Sequence, residues 1–98
     1  MKLEHAKKIL IQHKKELKKN YNIKEIGIFG SYVRGEQKKK SDLDVLVEFS
    51  KDSTMSLLEF IKLQNLLSDM LGVSIDLVEK KCLKPHIGKR ILEEVVYL

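Results

Sequence analysis

Residues able to act on a phosphorylated substrate are concentrated between positions 30 and 44. Gly30 and Ser31 follow one apolar stretch, and Asp42 and Asp44 stand two positions apart at the start of the next. A glycine–serine turn that opens a helix offers backbone N–H groups and the helix dipole to a phosphate, and the Ser31 hydroxyl can donate another hydrogen bond. Paired carboxylates offer the hard oxygen ligands that magnesium or manganese prefers. The combination predicts a site that holds a nucleotide's phosphates against divalent cations.

The carboxylate pair is a weak signal when taken alone. Asp42 and Asp44 project the same way from a predicted strand, where most such pairs are simply solvated. Held together, two like charges are unfavourable unless a cation neutralises them or one takes a proton. Asp76 is a single carboxylate in a later apolar stretch, and three carboxylates would meet if the two strands were neighbours. Such a cluster can hold two metal ions, one activating a hydroxyl and the other orienting a triphosphate. Glu48 is expected at the surface.

The elements that must position these residues follow from the hydrophobic pattern. The predicted helices are 3–19, 31–34, 53–71 and a last one that starts near Pro85 and carries Ile87, Ile91, Leu92, Val95 and Val96, and the predicted strands are 23–29, 43–49 and 73–78. Ser53 or Thr54 is the expected N-cap of the third helix, with Leu57 and Ile61 on its buried stripe and Gly72 at its end. This order predicts an α/β or α+β fold, with a small mixed sheet and helices packed mainly on one face.

Size and composition limit the remaining choices. A chain of 98 residues is expected to form one domain spanning 1–98. Cys82 is the only cysteine, so no intrachain disulfide can form, which suits a reducing compartment. No stretch resembles a signal peptide or approaches the ~20 apolar residues of a membrane span. We therefore expect a soluble, cytoplasmic protein without a membrane partner.

The formal charge of +5 leaves several classes of partner open. Basic surfaces attract nucleic acid, nucleotides or acidic proteins. The N-terminal lysines, however, alternate with apolar residues at helical spacing, as on the solvated face of an amphipathic helix. The run 38–40 reads as a solvated loop that could also assist a phosphate. No aromatic stacking platform or base-reading motif is evident among the three Tyr and three Phe residues, so direct nucleic-acid binding is not expected.

Gly30-Ser31-x-x-Arg34-Gly35 followed by Ser41-Asp42-x-Asp44 resembles the signature of the minimal nucleotidyltransferases of the DNA polymerase beta superfamily. The resemblance covers nearly the whole chain, including Asp76 in a following strand. It implies a nucleotidyltransferase fold and the transfer of a nucleoside monophosphate, AMP from ATP, onto a hydroxyl with release of pyrophosphate. It also implies two Mg2+ ions, with Mn2+ as an alternative.

The same resemblance assigns roles to the motif residues. Gly30 and Ser31 would bind the β- and γ-phosphates. Asp76 would ligate the catalytic metal and help to deprotonate the hydroxyl. The implied nucleotide-binding residues are Gly30, Ser31 and Arg34, and the implied catalytic and metal-ligating residues are Asp42, Asp44 and Asp76. Of these, Arg34 has the least defined role, as either a phosphate contact or a conformational one.

The resemblance also bears on the acceptor. Larger relatives carry a second domain that recognises acceptor and base, and this chain has no room for one. Stand-alone members resembling it form toxin–antitoxin modules with HEPN-domain RNases, which they silence by attaching AMP to a tyrosine. The implied partner is therefore a HEPN protein, and the implied role is that of an antitoxin. Two alternatives stay open: a binding module that neutralises its partner by complex formation alone, and a nucleic-acid binder suggested only by charge.

Overall fold

A computed structural model describes residues 1–98 as a four-stranded sheet with four α-helices. The elements in chain order are α1 Leu3–Tyr21, β1 Ile23–Phe29, α2 Ser31–Arg34, β2 Leu43–Phe49, α3 Leu57–Leu71, β3 Ile75–Glu79, a 3-10 turn Lys80–Cys82, α4 Pro85–Glu94 and β4 Val96–Tyr97. The predicted α+β class is confirmed. No helix combines the length and the apolar character that crossing a membrane requires.

The sheet is mixed, with the strand order β3-β2-β1-β4. β1 is antiparallel to both β2 and β4, and β2 is parallel to β3. Asp44 near the start of β2 lies opposite Phe29 at the end of β1 on one side and opposite Asp76 on the other. This register brings the end of β1 and the beginnings of β2 and β3 to one edge of the sheet.

The hydrophobic core lies on one face of the sheet, beneath α1 and α3. Strand residues of alternating position supply one layer, and one stripe of each long helix supplies the other, as the two periodicities require. The fully buried members include Leu10 of α1, Ile26 and Ile28 of β1, Val45 and Val47 of β2, and Leu63 and Leu67 of α3. The opposite face, which carries Asp44, also buries Leu46 outside this core cluster. The expectation of helices mainly on one face is met by α1 and α3.

The start of α3 differs from the prediction. The helix begins at Leu57 with Ser56 as its N-cap, whereas Ser53 or Thr54 was expected. The Ser56 hydroxyl accepts a hydrogen bond from the Glu59 N–H and donates one to the Glu59 carboxylate. This is an N-cap with a second side-chain bond, and it differs from a full capping box, in which the carboxylate accepts from the N–H of the cap residue. Because the helix starts later, Leu57 lies in its first turn with 75% of its surface exposed. Its expected place on the buried stripe is wrong, and so is that of Ile61, which is 43% exposed.

The C-terminal segment also differs. The last helix was expected to carry Val95 and Val96, but α4 ends at Glu94, and Val96 instead pairs with Ile28 as part of β4. The open edge of β1 offers unpaired backbone groups, and β-branched residues suit the strand that satisfies them. Gly27 makes the approach sterically feasible, because a Cβ there would lie 2.6 Å from Val95 Cγ2. Of α4 itself, only Gly88 is buried.

The N-cap of α3 leads to a stability prediction. Replacing Ser56 with Ala removes the acceptor for the Glu59 N–H and should lower the free energy of unfolding by about 1 kcal/mol. Ser53→Ala is the matched control, since α3 does not start there, and it should change stability by less than about 0.5 kcal/mol. Urea denaturation of the three proteins measures both values. Equal losses for the two variants would contradict this assignment of the cap.

Candidate active site

The site begins where β1 ends, in a turn made by Gly30. Its backbone angles, φ 81° and ψ −153°, lie in a region that is essentially restricted to glycine. A Cβ at Gly30 would overlap Asp44 Oδ2 on the neighbouring strand. Because Gly30 has no side chain, its backbone could approach a phosphate closely. The structure adds a second reason for glycine here, which is the room that the Asp44 carboxylate needs.

The three predicted carboxylates share the edge where β2 and β3 begin. Asp44 and Asp76 are direct partners in the parallel register, and Asp42 lies two residues before Asp44. Asp44 is half-buried, whereas the other two are exposed. Burial raises the pKa of Asp44 to about 6, and Asp76 adds to the rise through its charge and through a hydrogen bond to the protonated carboxyl. Asp42 raises the pKa further, while Arg34 opposes the shift.

These side chains match a divalent cation in chemical type. Their ligand atoms are hard oxygens, and after burial, the charges of Asp76 and Asp42 are what raise the pKa of Asp44, as expected of carboxylates held close together. A cation between Asp44 and Asp76 would remove that repulsion. No group of three or more His, Cys, Asp or Glu side chains is arranged as a complete metal site in the structure. Metal ligation by Asp42, Asp44 and Asp76 therefore stays a prediction.

The glycine turn leads into α2, a single helical turn that carries Ser31 and Arg34. Gly30 is its N-cap, and the carbonyl of Gly30 accepts hydrogen bonds from the N–H groups of Val33 and Arg34. Ser31 is half-buried at the start of this turn, beside the Asp44 strand. Tyr32 anchors the turn in the hydrophobic core. The structure thus brings the predicted phosphate-binding residues to the same edge as the carboxylates.

Glu94, the last residue of α4, is a member of this site that the sequence analysis missed. One of its oxygens accepts a hydrogen bond from the Gly30 N–H at 2.7 Å, and the other accepts one from Arg34 Nη1 at 2.6 Å. Burial opposes its ionisation, but the bonds from Arg34 and Gly30 hold the pKa of Glu94 below its ordinary value. No local signal could have identified it, because more than sixty residues separate it from Gly30 and only the pairing of β4 brings it there.

Arg34 is held by two carboxylates. Besides the bond to Glu94, its Nε donates to Glu36 at 2.9 Å, and these two hydrogen bonds raise the pKa of the guanidinium. The lysines that follow, 38–40, are exposed, in keeping with a solvated loop. Ser41 closes that loop by accepting a hydrogen bond from the Lys38 N–H at 2.8 Å. In this structure Ser41 of the motif therefore shapes the loop that delivers the aspartates.

The chain resembles known proteins over nearly its whole length. A family model described as a nucleotidyltransferase domain matches residues 10–98. The chain is 51% identical over 96 residues to the protein adenylyltransferase MntA of Thermococcus cleftensis, with 98% of this chain and 95% of that protein covered.

Three solved structures resemble the fold. One, provisionally described as a minimal nucleotidyltransferase, has a TM-score of 0.77 at 31% identity, and the match covers 100% of this chain and 97% of the other chain. A toxin–antitoxin structure with AMP-PNP has a TM-score of 0.72 at 22% identity, and the match covers 88% of this chain and 69% of the other chain. A tri-AMPylated HEPN toxin of Shewanella oneidensis in complex with an MNT antitoxin gives a TM-score of 0.68 at 19% identity, and the match covers 94% of this chain and 70% of the other chain. At these identities the last two show the fold alone.

Because Gly30 lies against Asp44 whereas Gly35 faces open space, replacing each with alanine should lower the free energy of unfolding by different amounts. Gly30→Ala introduces both a forbidden backbone conformation and an overlap with Asp44, so the free energy of unfolding should fall by about 2 kcal/mol or more. Gly35 also has a positive φ, of 69°, but no atom lies within 4 Å of a Cβ there, so Gly35→Ala should cost only about 1 kcal/mol. Chemical denaturation of both variants tests this difference. Equal costs would show that Asp44 does not need the space.

The raised pKa of Asp44 predicts a pH-dependent stability in the absence of metal. Its folded value, about 6, exceeds the ordinary 3.8, so the stabilisation by protonated Asp44 is complete below the ordinary value and is lost as the pH rises through 6. Asp44→Asn mimics the protonated form. With a chelator present, the variant should be more stable than wild type at about pH 8, by at most about 2 kcal/mol because water screens the half-buried charge, and equally stable at about pH 4.

Urea denaturation across this pH range measures the difference between the two proteins. The comparison cancels the contributions of other groups, including Glu94, whose lowered pKa acts in the opposite direction. Adding magnesium should reduce the difference at high pH. A difference that stays constant with pH would contradict the shift at Asp44.

Proposed function

The chain belongs to the nucleotidyltransferase domain family, and on that basis we propose that it transfers AMP from ATP onto a tyrosine hydroxyl of a HEPN-domain partner and thereby acts as an antitoxin. The observation that carries the chemistry is the register of the sheet. It places Asp44 beside Asp76 and next to the glycine turn, so that the residues we propose for the phosphates and for the hydroxyl lie at one edge of the sheet.

In the proposed reaction, each residue has a distinct task. Gly30 and Ser31, at the start of α2, bind the β- and γ-phosphates, and Arg34 contributes its remaining N–H groups from the end of the same turn. Asp42, Asp44 and Asp76 are the residues that would hold Mg2+, and Asp76 also accepts the proton of the attacking hydroxyl. The hydroxyl oxygen bonds to the α-phosphorus, the bond between the α-phosphorus and the bridging oxygen breaks, and pyrophosphate leaves. Two Mg2+ ions would supply charge neutralisation and activation of the hydroxyl.

The acceptor is proposed by analogy with relatives. The relative at 51% identity is named as a protein adenylyltransferase, and one structural neighbour is an antitoxin bound to an AMPylated HEPN toxin. The structure of this chain favours a protein over a nucleic acid as the acceptor. Of its six aromatic residues only Tyr97 is exposed, and Lys80 already lies over that ring at 5.7 Å. Unpaired bases would therefore find no stacking platform of several rings.

Label transfer tests the proposed reaction. The purified chain is incubated with the HEPN-domain partner, magnesium and ATP labelled at the α-phosphate. Wild type should label the partner, and Asp44→Asn should reduce the rate by at least about a hundredfold because a metal ligand is lost. Asp69→Asn, an exposed aspartate of α3, is the matched control and should leave the rate unchanged.

The acceptor residue is then located by mass spectrometry, and chelation should abolish the transfer. Full activity of a folded Asp44→Asn protein would contradict the proposed mechanism. If wild type labels nothing, and neutralises the partner as well as the Asp42→Asn/Asp44→Asn double variant does, the chain is a binding module that acts through complex formation.

A further inference from the structure

The carboxylate of Glu94 bridges the two ends of α2. Its hydrogen bonds go to the N–H of Gly30, the N-cap residue, and to the guanidinium of Arg34, the last residue of the helix. The Glu94 side chain is 22% exposed and that of Arg34 is 44% exposed, so the bond to Gly30 is partly shielded from water, whereas the ion pair with Arg34 is solvent-exposed. Both donors belong to residues to which the family resemblance assigns nucleotide binding.

The helix that Glu94 bridges has little stability of its own. α2 comprises four residues, fewer than a helix needs to form by itself, and no side chain caps its N-terminus. Glycines with positive φ, Gly30 and Gly35, flank it on both sides and leave the chain conformationally free at each end. Tyr32 packs into the core and holds the middle of the turn. The orientation of the two ends therefore depends on other contacts, and Glu94 contacts both.

Glu94 is itself held by the strand that leads into the glycine turn. The residues directly after it form β4, in which Val96 pairs with Ile28 and Tyr97 with Gly27. The Leu98 N–H also donates to the Ile26 carbonyl at 3.0 Å. Because β4 pairs with β1, the segment that carries Glu94 is fixed to the strand that ends one residue before Gly30. The position of Glu94 relative to the turn is thus set by backbone hydrogen bonds.

We propose that Glu94 is a positioning residue for nucleotide binding, which clamps the glycine turn and Arg34 in the geometry that receives the phosphates. This inference rests on the proposed function. A guanidinium has five N–H groups; Glu94 takes one from Arg34 and Glu36 takes another, so three stay free for phosphate oxygens. The clamp therefore holds Arg34 without exhausting its donors. It does take the single N–H of Gly30, so Gly30 contributes the close approach of its backbone, and the N–H and hydroxyl of Ser31 are the donors that the turn offers to phosphate. The opposing reading is that the carboxylate occupies a phosphate's place and must leave, and it predicts the opposite effect on affinity.

Three variants separate these readings. Glu94→Ala removes both acceptors, and Glu94→Gln keeps one carbonyl oxygen and can hold one of the two donors. Glu93→Gln, at the exposed neighbouring position on α4, is the matched control. Steady-state transfer kinetics give KM for ATP and kcat separately, and thermal denaturation shows whether each variant is folded at the assay temperature. Hydrogen exchange without nucleotide reports the order of segment 30–35 independently of any activity.

For Glu94→Ala, we expect KM for ATP to rise about tenfold with kcat changed less than about threefold, as the loss of charge-assisted bonds to a binding loop implies. Amides of 30–35 should exchange at least about tenfold faster while those of β2 are unchanged. Glu94→Gln should fall between wild type and Ala, and Glu93→Gln should match wild type.

A lower KM in Glu94→Ala would overturn the proposal in favour of competition with phosphate. Unchanged KM and unchanged exchange in 30–35, with only a lower melting temperature, would overturn it in favour of a purely structural ion pair. If wild type transfers no nucleotide, the proposed function fails, and exchange alone decides the clamp: faster exchange in 30–35 supports it, and unchanged exchange overturns it.

Discussion

The hydrogen-bonded register of β2, between β1 and β3, is the constraint on which the candidate site depends. It sets Asp44 directly beside Asp76, so that the charge of Asp76 adds to the effect of burial in raising the pKa of Asp44, and the two like charges are unfavourable without a cation. The other face of the same strand holds the register in place. Val45 and Val47 are fully buried there, and burial of two such side chains stabilises the fold by about 3 kcal/mol or more. Hydrophobic burial on one face thus keeps an electrostatically unfavourable cluster assembled on the other.

Two glycines leave space for side chains of neighbouring segments to approach the backbone closely. Gly30 leaves space for the carboxylate of Asp44, and Gly27 leaves space for Val95 as the chain enters β4. At both positions, even a Cβ atom would clash with the residue that lies opposite. The space beside Gly27 connects the C-terminal segment with the site, because the pairing of β4 with β1 brings Glu94, two residues before β4, to the glycine turn. The end of the chain is therefore part of the same structural unit as the motif in its first half.

The charge of the whole chain and the charge of the site have opposite signs. The formal net charge is +5, but the edge where the strands begin collects carboxylates and only one arginine. Arg34 is already paired with Glu36 and Glu94. A triphosphate approaching this edge would meet net negative charge, so the proposed function requires cations to offset it. The excess of lysine lies elsewhere, along α1 and in the exposed loop 38–40.

Local patterns determined much of this protein. An isoleucine-rich run stopped by Gly30 identified β1, and period-two alternation identified β2, both with their observed bounds. The motif of glycine, serine and aspartates lies together at one edge of the sheet. The predicted cap of α3 was wrong: Ser53 or Thr54 was expected, although Ser56 followed three residues later by Glu59 is itself a local N-cap pattern, and it is the one that the structure uses.

Contacts between residues distant in sequence were decided by the tertiary structure. Periodicity extended α4 through Val96, because nothing in the segment itself shows that β1 offers a free edge for a strand. The same pairing places Glu94 at the glycine turn, and the burial that raises the pKa of Asp44 exists only in the assembled sheet. The sequence by itself determined which residues could bind phosphate and metal, because side-chain chemistry and spacing are local properties. Only the fold determined which of them meet, because backbone pairing across the sheet sets the distances between them.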